Sequence, residues 1–133
     1  MKKIALEGVI NKCTDAECKD WRDEVIAALG HKYTFHNPMD FDCRGSEAEL
    51  RRELIAVDTR GITASDIVLV MAERPGWGTG MGVQMAWAMH KYIVTVCPDD
   101  HPSPWLVDRS NIIFKSLKAA IAYLLGNYPM LPR

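Results

Sequence analysis

Short apolar runs alternate with amphipathic stretches along the chain, a pattern typical of a parallel sheet covered by helices. The clearest run is Ile67-Val68-Leu69-Val70-Met71, and its unbroken apolar character predicts a central strand buried on both faces. Shorter apolar segments complete a prediction of about five parallel strands, and they lie at 4–10, 33–36, 92–97 and 111–114.

Helical periodicity fills the intervals between these strands. Thr14 or Asp15 is the expected first cap, Ser46 and Glu49 have capping-box spacing, and Gly61 is an expected stop. The predicted helices cover about 15–29, 46–60, 83–90 and 116–124, whereas 98–111 is predicted as a loop and 128–133 as a Pro-rich tail. We therefore expect one flavodoxin-like α/β domain over residues 1–133, with ligands at the carboxyl ends of its strands.

Composition narrows the choice of partners. The 133 residues include 16 Lys+Arg and 17 Asp+Glu, a net charge of −1, so no basic field exists for a nucleic acid polymer or a membrane surface. No apolar run approaches the ~20 residues of a membrane span. The N-terminal segment turns acidic at Glu7, too early for the apolar region of a signal peptide. These features predict a cytoplasmic protein.

The cysteines and histidines do not predict a metal site. Cys13, Cys18, Cys43 and Cys97 form no CxxC pair, and the histidines share no ligand spacing with them. We expect reduced cysteines, no metal and no organic cofactor.

Three segments at the carboxyl ends of predicted strands should converge at one edge of the sheet: Glu7-Gly8, where the first strand ends in a loop around Gly8, 73–82 and 98–111. The second segment contains Gly78-Thr79-Gly80-Met81-Gly82, and we interpret it as a glycine-rich loop that opens a helix. Free N–H groups at a helix N-terminus suit a phosphate or a carboxylate. Tight turns explain such glycines about as often as ligands do, and the spacing matches neither a P-loop nor GxGxxG.

Two carboxylates have competing interpretations. Glu7 lies in or just beyond a buried strand, where an unpaired carboxylate costs several kcal/mol, so it is either paired, for example with Arg44, or used in function. Asp58 is either a functional acid or a solvated helix residue paired with Arg52 or Arg60.

Aromatic and basic side chains near the strand ends are further candidates. Trp77 and Trp105 either stack on a base or pack within loops, and Arg44 is a candidate phosphate ligand.

Several motifs occur in one order over nearly the whole chain. They are Met-Lys-Lys-Ile-x-Leu-x-Gly at the start, Asp20-Trp21-Arg22, Asn37-Pro38-Met39, Arg44-Gly45, Asp58-x-Arg60-x-Ile62-x-x-Ser65-Asp66, Gly78-Thr79-Gly80-Met81, Ala86-Trp87-Ala88 and Ser103-Pro104-Trp105-Leu106. Together they resemble the nucleoside 2-deoxyribosyltransferase-like family, which includes nucleoside 5′-monophosphate N-glycosidases.

This resemblance implies cleavage of the N-glycosidic bond of a nucleoside or nucleoside 5′-monophosphate, or transfer of its deoxyribosyl group. In the family, the Glu of a Gly-Thr-x-Met-Glu motif attacks the anomeric carbon, and water or a second base then accepts the sugar. The family's acid near the departing base falls on Asp58, and an Asn that reaches a neighbouring subunit falls on Asn111, which implies a homo-oligomer. The expected substrate-binding residues are Gly8, Arg44, Trp77, Gly78, Thr79, Gly80, Met81 and Asn111.

The chain departs from this family at the nucleophile. Gly82 stands where the motif has Glu, while Ala5 and Glu7 replace a pocket Tyr and an Ala. Three explanations remain open: Glu7 supplies the missing carboxylate from the neighbouring strand, the protein binds a nucleotide without turnover as a sensor, sponge or regulatory subunit, or residue 82 is an engineered change.

Overall fold

The computed structural model describes residues 1–126, in which five parallel strands form one sheet. The strands are β1 (Lys2–Gly8), β2 (Tyr33–His36), β3 (Ile67–Met71), β4 (Tyr92–Val96) and β5 (Ile112–Phe114). Their order across the sheet, β2-β1-β3-β4-β5, is that of flavodoxin-like folds, so the predicted fold class is confirmed. The predicted Pro-rich tail lies outside the described residues.

Within residues 1–126, five α-helices cover the two faces of the sheet. They are α1 (Trp21–Leu29), α2 (Arg51–Thr63), α3 (Trp77–Ala88), α4 (Pro104–Arg109) and α5 (Leu117–Leu125). A short π-helical turn (Ala16–Asp20) precedes α1, and a 3₁₀ turn (Pro38–Phe41) follows β2.

Side chains of β1 and β3 alternate between two buried clusters, because successive residues of a strand point to opposite faces. Leu6 and Leu69 belong to the cluster that includes residues of α1 and α5. Ala5 and Val68 belong to the cluster with residues of α2 and α3. Helices on both faces therefore explain why every residue of β3 is buried, as the unbroken apolar run predicted.

The glycine-rich segment is helical, which corrects its interpretation as a loop. Helix α3 begins at Trp77 and therefore includes Gly78, Gly80 and Gly82. Glycine disfavours helix by about 1 kcal/mol per residue, but α3 packs on the sheet through its buried residues Gly82 and Ala86, and this packing outweighs that propensity.

Helix α2 also differs from its prediction at both ends. It begins at Arg51, where the N-cap has no side-chain hydrogen bond, so Ser46 opens only a preceding turn. It continues to Thr63 because Gly61 is a buried packing position and not a stop.

Serine caps explain where α4 and α5 begin, and α4 is a helix that the sequence analysis does not predict. The Ser116 hydroxyl accepts from the Ala119 N–H at 3.2 Å, as predicted for α5. Ser103 caps α4 in the same way, with Pro104 at its first position, so the predicted loop 98–111 contains a short helix.

Three general features complete the fold. The cysteines are free. Within residues 1–126, no group of three or more His, Cys, Asp or Glu side chains is placed to hold a metal. None of the helices in that range has the length and hydropathy needed to cross a bilayer.

Candidate active site

Glu7 is a buried carboxyl at the end of β1, on the face covered by α2 and α3. It is 5% exposed, although it lies one residue before the end of the strand. Its Oε1 is the one buried side-chain oxygen or nitrogen within residues 1–126 that has no hydrogen-bond partner. An ionised carboxyl in such a position costs several kcal/mol, so its surroundings favour the neutral form.

The surroundings of Glu7 raise its pKa well above 4.5. Burial is the main cause, and the negative charge of Asp58 and a hydrogen bond with that residue add to it. The guanidinium of Arg22 acts in the opposite direction but does not reverse the shift. Glu7 therefore keeps its proton at pH values where an ordinary glutamate is ionised.

Gly82 lies directly against Glu7. A Cβ atom at residue 82 would lie 2.9 Å from Glu7 Oε1, 3.5 Å from Glu7 Cδ and 3.6 Å from Ile62 Cδ1. The carboxyl of Glu7 therefore occupies the space in which a side chain at position 82 would begin. Residues 7 and 82, from β1 and α3, therefore meet at one point.

Asp58 is the second carboxyl of this cluster and its more exposed member. Its Oδ1 lies 3.0 Å from His36 Nε2, and its side chain is 27% exposed. Burial disfavours ionisation of Asp58, but hydrogen bonds from His36 and Glu7, with the charges of His36 and Arg22, lower its pKa overall. Asp58 is thus the ionised member of the pair, and its observed partner is His36 instead of Arg52 or Arg60.

Sequence reasoning missed His36, because nothing local to β2 distinguishes it. Its ring lies on the backbone of α2, and a Cβ atom at Gly61 would lie 2.2–2.3 Å from three ring atoms. Only glycine leaves room for the ring at this position, which explains why Gly61 is inside α2.

Arg22 is a fully buried cation on the opposite side of β1. Its guanidinium donates to the carbonyls of Cys18 at 2.6 Å, Gly8 at 3.1 Å and Leu6 at 3.4 Å. Burial lowers its pKa to about 10, so it stays charged at neutral pH. In the sequence, Arg22 stands out only as part of the motif Asp20-Trp21-Arg22, and this motif does not indicate that its charge is buried and acts on Glu7.

A large cleft lies between α3 and α4, at the carboxyl ends of β3 and β4. Its volume is about 990 Å³. Its walls include four predicted substrate-binding residues and a fifth candidate: Trp77, Thr79, Gly80, Met81 and Trp105. Gly82 faces Glu7 instead, so the predicted catalytic and substrate-binding residues fall on two sides of α3.

Arg44 joins the loop that follows β1 to the loop that follows the 3₁₀ turn. It contacts Asp42 at 2.7 Å, Asp15 at 2.6 Å and the Cys13 carbonyl at 3.2 Å. The hydrogen bonds from Arg44 lower the pKa of Asp42 to about 2. Arg44 therefore does not pair with Glu7, and its role as a phosphate ligand remains a prediction.

Gly8 and Asn111 have packing roles. A Cβ atom at Gly8 would lie 2.9 Å from the Trp21 ring. The Asn111 side chain accepts from the Ile93 N–H at 2.8 Å, just before β5, three strands away from β1. Substrate binding by either residue remains a prediction.

Solved structures with this fold include enzymes that act on nucleosides and nucleotides. A 2-deoxyribosyltransferase from Bacillus psychrosaccharolyticus has a TM-score of 0.75 and 17% identity, and the match covers 98% of both chains. The 2-deoxyribosyltransferase of Leishmania mexicana has a TM-score of 0.67 and 18% identity over 97% of this chain and 100% of that one.

The CMP N-glycosidase BcmB of Clostridium botulinum has a TM-score of 0.62 and 19% identity, and the match covers 92% of this chain and 98% of that one. At these identities the likeness establishes the fold. No protein-family model matches the chain, and no curated protein matches its sequence.

Proposed function

We propose that this protein cleaves the N-glycosidic bond of a nucleoside or nucleoside 5′-monophosphate, with Glu7 as nucleophile and Asp58 as the proton carrier. The observation that carries the proposal is the position of the Glu7 carboxyl, 2.9 Å from where a Cβ at residue 82 would lie. The family resemblance puts the attacking carboxylate at position 82 and the base-facing acid at Asp58. A carboxylate arriving from β1 therefore replaces the one that α3 lacks.

The reaction needs only the single proton that this pair holds. The proton passes from Glu7 to Asp58, and an oxygen of Glu7 attacks the anomeric carbon as the bond to the base nitrogen breaks. Asp58 gives the proton to the departing base, which leaves a glycosyl ester on Glu7. Water then attacks the same carbon, Asp58 takes its proton, Glu7 departs as carboxylate, and the proton returns to Glu7. A second nucleobase that attacks in place of water gives deoxyribosyl transfer.

Substrate binding is assigned to the adjoining surface of α3. We propose that Arg44, Gly8 and the first turns of α3, residues 77–81, hold the sugar or phosphate, since a helix N-terminus offers free N–H groups to an anion. Trp77 is proposed to stack on the base. We also propose a cytoplasmic homo-oligomer in which Asn111 approaches a neighbouring subunit, with no metal or organic cofactor.

A second candidate is binding of an intact nucleotide without turnover. Glu7 favours this alternative in one respect, because a protonated carboxyl that is 5% exposed is a poor nucleophile until it loses its proton. Burial of a neutral group next to a bound phosphate also avoids like-charge repulsion.

Chromatography of released base separates the two candidates. Purified protein is incubated with a panel of nucleosides and 5′-monophosphates, with and without a second free base. Glu7→Gln and Asp58→Asn remove the two proposed functional carboxyls, and Glu24→Gln removes an exposed carboxyl of α1 as the matched control. We expect base release by the wild type and the control, and its loss in the other two variants.

The family arrangement is rebuilt by a double variant. Gly82→Glu alone collides with Glu7, so Glu7→Ala is combined with it. Release by the double variant and not by the wild type would support the binding protein. Full activity of Glu7→Gln would end the role proposed for Glu7.

A further inference from the structure

We infer that His36 is a positioning residue that keeps Asp58 ionised and thereby leaves the shared proton on Glu7. The inference rests on the proposed function for its catalytic meaning, but its physical content concerns the free protein. It is carried by the contact of His36 Nε2 with Asp58 Oδ1 at 3.0 Å and by the seat of the ring on Gly61.

Helix α2 supplies both halves of this arrangement. Asp58 and Gly61 are three residues apart, so they lie on the same face of α2, one turn from each other. The ring of His36 rests on the backbone at Gly61 while its Nε2 reaches Asp58. The side chain of His36 is 11% exposed, so water has little access to the contact. The helix that carries the carboxylate thus also fixes the histidine that bonds to it.

Two further charged or titratable groups act on this pair, Arg22 of α1 and His36 of β2, and they do not act equally. Arg22 acts on both carboxyls but more strongly on Glu7 than on Asp58, so its charge does not explain why the proton stays on Glu7. The hydrogen bond of His36 goes to Asp58 alone. Greater burial of Glu7 acts in the same sense, because it disfavours the charge there. Loss of His36 therefore removes the hydrogen bond that β2 provides to Asp58.

The catalytic consequence concerns the resting state of the pair. Two carboxyls that share one proton titrate in two coupled steps. With His36 present, Asp58 is the resting acceptor and Glu7 the resting acid, so each cycle begins with a transfer in a fixed direction. Without His36, the proton distributes between both carboxyls, and the pH dependence of any turnover changes.

Carboxyl titration by NMR tests the inference on the free protein. Protein labelled with ¹³C at the Asp and Glu carboxyls is titrated as wild type, His36→Phe and His36→Gln. Phenylalanine keeps a ring over Gly61 without an N–H donor, and glutamine restores a donor. We expect His36→Phe to raise the Asp58 midpoint by about one pH unit, since a hydrogen bond to a charged group is of that strength. His36→Gln should return part of the shift.

An unchanged Asp58 midpoint in a folded His36→Phe protein overturns the inference. If neither variant folds, ¹⁵N spectra of wild-type His36 decide: the Nε2 resonance should follow the Asp58 titration, and a lack of response overturns the inference. These readouts do not use turnover. If the wild type releases no base but His36→Phe raises the Asp58 midpoint, the proposed function alone is refuted. If the wild type releases base but the Asp58 midpoint does not change in His36→Phe, only the role of His36 is refuted.

Discussion

Replacement of Gly61 by alanine tests the packing that holds the candidate site together. The added Cβ would lie 2.2 Å from His36 Cγ and Cδ2, whereas ordinary contacts begin at 3.4 Å. The ring must therefore retreat by about 3.4 − 2.2 = 1.2 Å. Such a movement breaks the 3.0 Å contact between His36 Nε2 and Asp58.

Opposing contributions determine how far Gly61→Ala changes the free energy of unfolding. Alanine in place of glycine inside α2 gains about 1 kcal/mol of helix propensity. Overpacking costs about 1–3 kcal/mol, and loss of a hydrogen bond to a charged group costs about 1.5–3 kcal/mol, less here because Asp58 is 27% exposed. The steric and electrostatic losses win, and we expect a net destabilisation of about 2–4 kcal/mol.

Urea unfolding of a matched set measures this balance. Gly80→Ala in α3 is the control, since a Cβ there meets nothing within 4 Å, and it should stabilise by up to about 1 kcal/mol. In a His36→Ala background the ring is absent, so Gly61→Ala should become stabilising. If Gly61→Ala destabilises equally with and without the ring, steric conflict with His36 is not the cause and the reasoning fails.

Three further predictions concern stability and assembly. Burial raises the pKa of Glu7, so the contribution of Glu7 to stability is complete below about pH 4.5 and decreases as pH rises through the folded-state pKa. The free energy of unfolding of Glu7→Gln relative to wild type should therefore increase from pH 4 to pH 9. A constant difference in urea titrations would contradict this. Arg22→Met leaves three carbonyls without their donor and should destabilise by about 3 kcal/mol or more, measured by thermal unfolding, while Arg51→Met on the exposed start of α2 should have little effect. The exposed apolar side chains beside the cleft are expected to take part in self-association. Met81→Lys combined with Trp105→Ser should therefore lower the sedimentation coefficient without changing the circular dichroism spectrum. An unchanged coefficient would place the interface elsewhere.

Local patterns were sufficient for the strands and for part of the helices. The apolar run at 67–71 predicts β3 with its observed bounds, and 33–36 likewise predicts β2. Ser116 is both the predicted and the observed cap of α5. These features succeed because strand burial and helix capping depend on residues that are close in the sequence.

Local patterns gave wrong predictions for glycines whose role depends on residues distant in the sequence. The local pattern predicts that Gly61 ends a helix, but the ring of His36, a residue 25 positions earlier in the chain, lies on it. The same pattern predicts a loop for the glycines of 78–82, but α3 includes them because it packs on the sheet. Glycine permits a close approach as readily as a turn, and only the fold decides which of the two it provides.

The candidate site divides in the same way. By itself, the sequence indicates Glu7 as a carboxylate in a buried strand, and the resemblance draws attention to Gly82 as the position where Glu is expected. The tertiary structure decided that these two positions touch, that His36 rather than an arginine bonds to Asp58, and that Arg22 is a buried charge behind β1. The physical reason is that parallel pairing brings β1 next to β3 and packs α2 and α3 on one face, so residues up to 75 positions apart meet, and no local pattern encodes such a contact.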